Sequence, residues 1–96
     1  MPVSARRMDH ILVNVLGFER RMGRHQIYVL KLGGRQVART LISHGVRDIG
    51  DDLLAVMAKQ MRITLAQLKR LIAGEMRRED YYRLLGELED QEREPE

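Results

Sequence analysis

The residues best suited to chemistry in this chain are His25 and the arginines around it. The stretch "GRHQIYVLKLGGRQVARTLISHG", Gly23 to Gly45, opens on Gly23-Arg24-His25 and closes on His44-Gly45. An imidazole titrates near neutrality and can take or give a proton, while guanidinium forks hold phosphate. RNA carries its own nucleophile, the 2′-hydroxyl. Strand cleavage therefore needs one general acid or base, together with cations that stabilise the charge gathered on phosphorus. Arg24 beside His25, with Arg20 and Arg21 just before, meets that minimum without a metal. A plainer reading stands beside it, in which His25 opens a strand and bonds a loop carbonyl while His44 steadies the turn before Gly45. Local spacing leaves both readings open. The third histidine, His10, reads as a surface residue of the first helix.

Other chemistries find no matching pattern. There is no GxxxxGK[ST] segment, and Gly33-Gly34 is followed by a strand rather than by the helix a phosphate loop requires. No HExxH occurs, and His10, His25 and His44 lack metal-ligand spacing among themselves. Asp51 and Asp52 read as a helix start, and neither Ser4 nor Ser43 sits in a nucleophile elbow. With no cysteine, thiolate metal sites and disulfides are excluded. Neither a cofactor nor a metal is expected.

The elements that must position these groups come from a chain of 96 residues, enough for one small core. Four aromatics, Phe18, Tyr28, Tyr81 and Tyr82, leave that core to Leu, Ile, Val and Met. No apolar run approaches the length of a membrane span, and no apolar segment follows the first charges, so a cytoplasmic protein is expected. Residues 1–50 carry nine basic and three acidic side chains, a net +6, so the remainder sums to −3 within the overall +3. A basic first half points to a polyanionic partner.

Met8, Ile11, Leu12, Val15 and Leu16 recur at helical spacing, with Ser4 as N-cap and Gly17 as left-handed stop, which predicts a helix over 5–16. Phe18 to Met22 reads as a charged edge strand. His25 to Leu32 and Arg35 to Ser43 form a hairpin about Gly33-Gly34. A simple two-residue turn would set Tyr28 opposite Arg39 and Ile27 opposite Thr40. His25, Ile27, Val29, Ala38, Thr40 and Ile42 would then face the core. Tyr28, Leu30 and Leu41 would lie on the exposed face, ready for a partner. Three more helices follow: one from Asp51 with Leu53, Leu54, Met57, Ala58 and Met61, one from Thr64 to Gly74 behind a capping box, and one from about Arg77 to Leu88. The class is α+β, with an α-β-β-β-α order, a three-stranded antiparallel sheet and two added C-terminal helices. One domain over 1–90 and a disordered acidic tail over 91–96 are expected.

The ordered set Gly17-Phe18, Gly23-Arg24-His25, Gly33-Gly34-Arg35, His44-Gly45 and Leu53 to Met61 resembles the HicA-type toxins, which are small mRNA interferases. The resemblance covers residues 5–63. It implies a double-stranded-RNA-binding-domain-like core, an RNA target, catalysis by His25 as a metal-independent endoribonuclease, and a HicB-like antitoxin partner. The RNA-binding set expected with it is Arg20, Arg21, Arg24, Arg35, Arg39, His44 and Arg47. Arg24 stands where the family has Ser, no Pro precedes His44, and residues 64–90 are additional. Two alternatives accompany the nuclease: a non-catalytic RNA-binding module, and an interaction protein that forms a homodimer through Tyr28, Leu30, Leu41 or the added helices.

Overall fold

A computed structural model describes the backbone of residues 2–92 and the side chains of residues 2–89. Among the described residues, four helices and a three-stranded antiparallel sheet make an α+β fold, with a small strand pair beside them. In chain order the elements are β1 (Val3–Ser4), α1 (Ala5–His10), a wider π-type segment (Ile11–Val15), β2 (Glu19–Met22), β3 (Gln26–Leu32), β4 (Arg35–Ile42), β5 (Asp48–Ile49), α2 (Asp51–Gln60), α3 (Leu65–Ala73) and α4 (Arg78–Glu92). Residues 91 and 92, expected in the acidic tail, are still helical. The rest of that tail lies outside the described residues.

Local chemistry explains most of the element ends. The Ser4 hydroxyl accepts the Arg7 N–H at 3.0 Å, which caps α1. The helix then widens: Leu16 N–H reaches the Ile11 carbonyl at 2.9 Å, a five-residue step, and Gly17 ends it at φ +83°. Thr64 and Gln67 form a reciprocal capping box before α3. α3 stops at Gly74, left-handed at φ +81°. β1 and β5 pair through Val3–Ile49 and Ser4–Asp48, a contact too short to show in the residue pattern.

β2, β3 and β4 pair in that order, and one bulge decides which way the sheet faces. Leu32 lies opposite Arg35 and Lys31 opposite Gln36, but Leu30 then lies opposite Ala38, so Val37 is surplus. Beyond it Tyr28 pairs with Thr40 and Gln26 with Ile42. The exposed face expected for Tyr28 and Leu30 is therefore corrected. Both are buried in the core, with 0% and 1% of their surface exposed, alongside Ala38, Thr40 and Ile42. Neither is available to a partner. His25 and Ile27 turn to the other face, and there Leu41 does stand, half-buried, as expected.

One apolar cluster joins the whole described chain. Met8, Leu12 and Leu16 from the first helix meet Leu30 and Ile42 of the sheet. Leu54 and Met57 of α2, Leu68 and Leu71 of α3, and Tyr81 and Leu85 of α4 belong to the same cluster. Tyr81 stacks on Phe18 with ring centroids 6.1 Å apart, and its hydroxyl donates to the Met61 carbonyl at 3.0 Å. Much of the apolar surface of residues 64–88 is thus used inside the molecule rather than left for a second copy.

Candidate functional site

The Gly23-Arg24-His25 turn, the segment after β4 and the start of α1 come together at one end of the sheet. His44 ties the first two: its Nε2–H donates to the Gly23 carbonyl at 3.0 Å. A carbonyl only accepts, so this bond assigns the ring proton to Nε2. Ala5 N–H donates to the Arg47 carbonyl at 2.7 Å and ties the third. The end so built carries Arg6, Arg24 and Arg47, all exposed, and none forms an ion pair among the described residues. Arg39 is also exposed without an ion pair. It lies opposite Val29 on the sheet face away from the helices.

His25 is half-buried at this end, one residue before β3. Its Nδ1 is buried and has no hydrogen-bond partner among the described residues. The loop-carbonyl bond of the plainer reading is therefore not made at Nδ1. With Gln26 opposite Ile42, His25 comes level with Ser43 rather than with Ile42 as the simple register required. The two histidines nevertheless share one end, since His44 holds the carbonyl two residues before His25.

The remaining arginines of the expected set are engaged elsewhere. Arg20 Nη1 lies 2.9 and 2.8 Å from the two carboxylate oxygens of Asp9. Arg21 pairs with Glu19 at 3.0 Å. Arg35 pairs with Glu89 at 3.5 Å, at the far end of β4. At about 3.3 Å of rise per residue, that strand sets Arg35 more than roughly 20 Å from His44. The structure thus groups Arg24, His25, His44 and Arg47, keeps Arg39 on the neighbouring face, binds Arg20 and Arg21 to acids, and separates Arg35.

Beside the basic end lies a polar cleft of about 270 Å³, lined by Arg6, Asp9, Arg20, Gln26, Ser43 and His44 among others. Asp9 organises it, and sequence reasoning missed that role because its partners are distant along the chain. The Tyr28 hydroxyl donates to Asp9 Oδ1 at 2.6 Å and lies 3.1 Å from Gln26 Oε1. Burial first, then the bond to Asp9 and its negative charge, push the Tyr28 phenol well above its ordinary value near 10. Tyr28 therefore stays a protonated donor at neutral pH and takes no part as a base. Asp9 in turn raises the Arg20 guanidinium further, through its hydrogen bond and then its charge. The result is a fixed relay from Arg20 through Asp9 to Tyr28, in a cleft that Ser43 and Arg6 also line.

Across from the helices, Val29 is 2% exposed yet lies outside the main apolar cluster, between Glu19 and Arg39 in the cross-strand row. Ile27 and Leu41 pair beside it, half-buried. This face combines a small apolar strip with the cations Lys31 and Arg39. Among the described residues, no group of three or more His, Asp or Glu side chains gathers as a metal site. No helix among them is long and apolar enough to cross a membrane. No protein-family model, curated protein or solved structure matches this chain.

Proposed function

We propose that the chain is an RNA-directed protein of the HicA-like type, with α1, β2, β3, β4 and α2 as a double-stranded-RNA-binding-domain-like core. The observation that carries this reading is the trio Arg6, Arg24 and Arg47 at the histidine end, none of them in an ion pair among the described residues. Uncompensated guanidiniums at one edge suit a phosphate backbone, and counterion release would make binding steeply salt-dependent. In the catalytic form of the reading, His25 takes the proton of a 2′-hydroxyl as its oxygen attacks phosphorus. The 5′-oxygen leaves with a proton from solvent, giving a cyclic phosphate and a 5′-hydroxyl. Arg24 holds the non-bridging oxygens and stabilises their added charge.

The non-catalytic form has its own support. A general base is normally oriented by a partner on its second nitrogen, and His25 Nδ1 has none among the described residues. A HicB-like partner would be received on the strip of Ile27 and Leu41.

The test is incubation of purified protein with RNA in EDTA, beside His25→Ala and the double variant Arg24→Gln/Arg47→Gln. Cleavage by the wild type, lost in His25→Ala with affinity retained, is the outcome expected of a nuclease. Binding without cleavage, weakened in the double variant and by salt, assigns a binding module. Wild type and double variant with equal, salt-insensitive affinity would remove the proposal altogether.

A further inference from the structure

A cleft of about 640 Å³ lies away from the histidine end, between the first helix and the turn that joins α3 to α4. Its volume falls in the range of small-molecule pockets. Ile11, Ile72 and Met76 contribute apolar lining, and Arg7, Arg77 and Arg78 contribute charge. His10 and one acid, Glu79, also reach it.

Two of the three guanidiniums are held, and none of the three forms an ion pair among the described residues. Arg7 Nη2 donates to the Ile72 carbonyl at 2.9 Å. Arg78 donates from Nε to the Val15 carbonyl at 2.7 Å and from Nη2 to the Asn14 carbonyl at 3.1 Å. Carbonyl acceptors fix these forks while leaving their full positive charge. The Arg77 side chain bonds nothing among the described residues; its backbone N–H donates to Asp80 Oδ2 at 2.9 Å and its carbonyl accepts the Tyr81 N–H at 3.1 Å. An apolar wall beside fixed cations matches one ligand chemistry better than any other. A neutral apolar molecule would strand the charge, and a metal ion would be repelled. The cleft has no Phe, Tyr or Trp in its lining and so lacks the broad stacking platform that unpaired bases use.

We propose that this cleft binds a small amphipathic anion, with a carboxylate or phosphate head at Arg7, Arg77 and Arg78 and an apolar body along Ile11, Ile72 and Met76. The site is separate from the histidine end and does not depend on RNA binding there. It makes the C-terminal helices the second wall of a binding site as well as a closure of the core.

The probes are octanoate and octyl phosphate as monomers, with octanol and octyltrimethylammonium as matched controls, followed by amide chemical shifts of the full chain. The two anions are expected to shift residues 10–15 and 71–77 saturably, octanol more weakly, and the cation not at all. Arg77→Gln should weaken both anions by about fivefold or more, as expected for one lost charge-assisted bond. Its side chain supports nothing else, so its thermal unfolding should match the wild type. Phosphatidylglycerol vesicles separate the two sources of such a head. Arg77-dependent vesicle binding that octyl phosphate displaces assigns a lipid headgroup, and binding of monomers alone assigns a soluble anion. Equal shifts from anion and cation, shifts confined to other residues, or unchanged affinity in Arg77→Gln would overturn the proposal. So would shifts of these amides by an RNA oligonucleotide in place of the alkyl anions.

Discussion

Arg24 and Arg47 stand on loops and form no ion pair among the described residues, whereas Arg78 on α4 reaches the Asn14 and Val15 carbonyls where the first helix ends. Tyr82 completes that second arrangement by donating to the Leu16 carbonyl at 2.7 Å. A helix end leaves several carbonyls unsatisfied and carries partial negative charge. An arginine and a tyrosine from a neighbouring helix answer both needs, so they hold the fold while the arginine's charge also faces the cleft. The loop arginines answer no such need inside the molecule. The contrast teaches that one residue type does structural work where carbonyls converge and none where they do not, while its charge is kept in both places. Stability and recognition should therefore separate by region when each is perturbed.

The largest expected effect is on the side of the added helices. Tyr81→Ala removes the ring stacked on Phe18 and leaves the Met61 carbonyl without its donor. It should cost about 3–5 kcal/mol in urea unfolding, as large-to-small core changes do. A loss below about 1 kcal/mol would mean that α4 is not part of the same core. Next comes Arg78→Met, which keeps length but frees two carbonyls of the first helix. About 1 kcal/mol should be lost, with RNA affinity at the histidine end unchanged.

Arg24→Gln and Arg47→Gln sharpen the contrast from the other side. Each should alter unfolding by less than about 0.5 kcal/mol. Each should also lower the slope of log affinity against log salt by about 0.7 for single-stranded RNA. A stability loss equal to that of Arg78→Met would erase the distinction.

The smallest effect concerns the link from α2 to α3. Lys69 Nζ lies 2.8 Å from Asp51 Oδ2 and, by its hydrogen bond and then its charge, holds that carboxyl below its ordinary value of 3.8. A lowered folded-state value means the contribution is present above the ordinary carboxylate range and lost as pH falls through the lowered one. Asp51→Asn should reduce the melting temperature slightly at pH 7 and not at all near pH 2. The same decrement at both pH values would assign the effect to helix capping instead.

Features written in local chemistry were legible in the residues: the Ser4 cap, the Thr64–Gln67 box, the stops at Gly17 and Gly74, and the hairpin at Gly33-Gly34. Strand phase was not. β3 offers Tyr28 and Leu30 on one face and Ile27 and Val29 on the other, so alternation does not choose between them. A bulge carries no signal of its own in residue type. That His25 and His44 share one end of the sheet followed from the hairpin. Asp9, by contrast, could not be found by spacing, because its partners Arg20 and Tyr28 are 11 and 19 residues away. The widening of the first helix was also hidden, since both helix types bury Leu12 and Leu16.

Val37 has a consequence for how this chain can change over time. Its accommodation in a bulge sets Ala38, Thr40 and Ile42 inward and Arg39 and Leu41 outward. Deleting that one residue would pair Leu30 with Ala38 and Tyr28 with Thr40 without a bulge and leave both faces as they are, whereas closing the bulge with the residue retained would bring Arg39 level with Tyr28 and drive a guanidinium into the core. The stretch can therefore lose its surplus residue without turning the strand over, and divergent copies should vary in count at Val37 while keeping the alternation from Ala38 to Ile42.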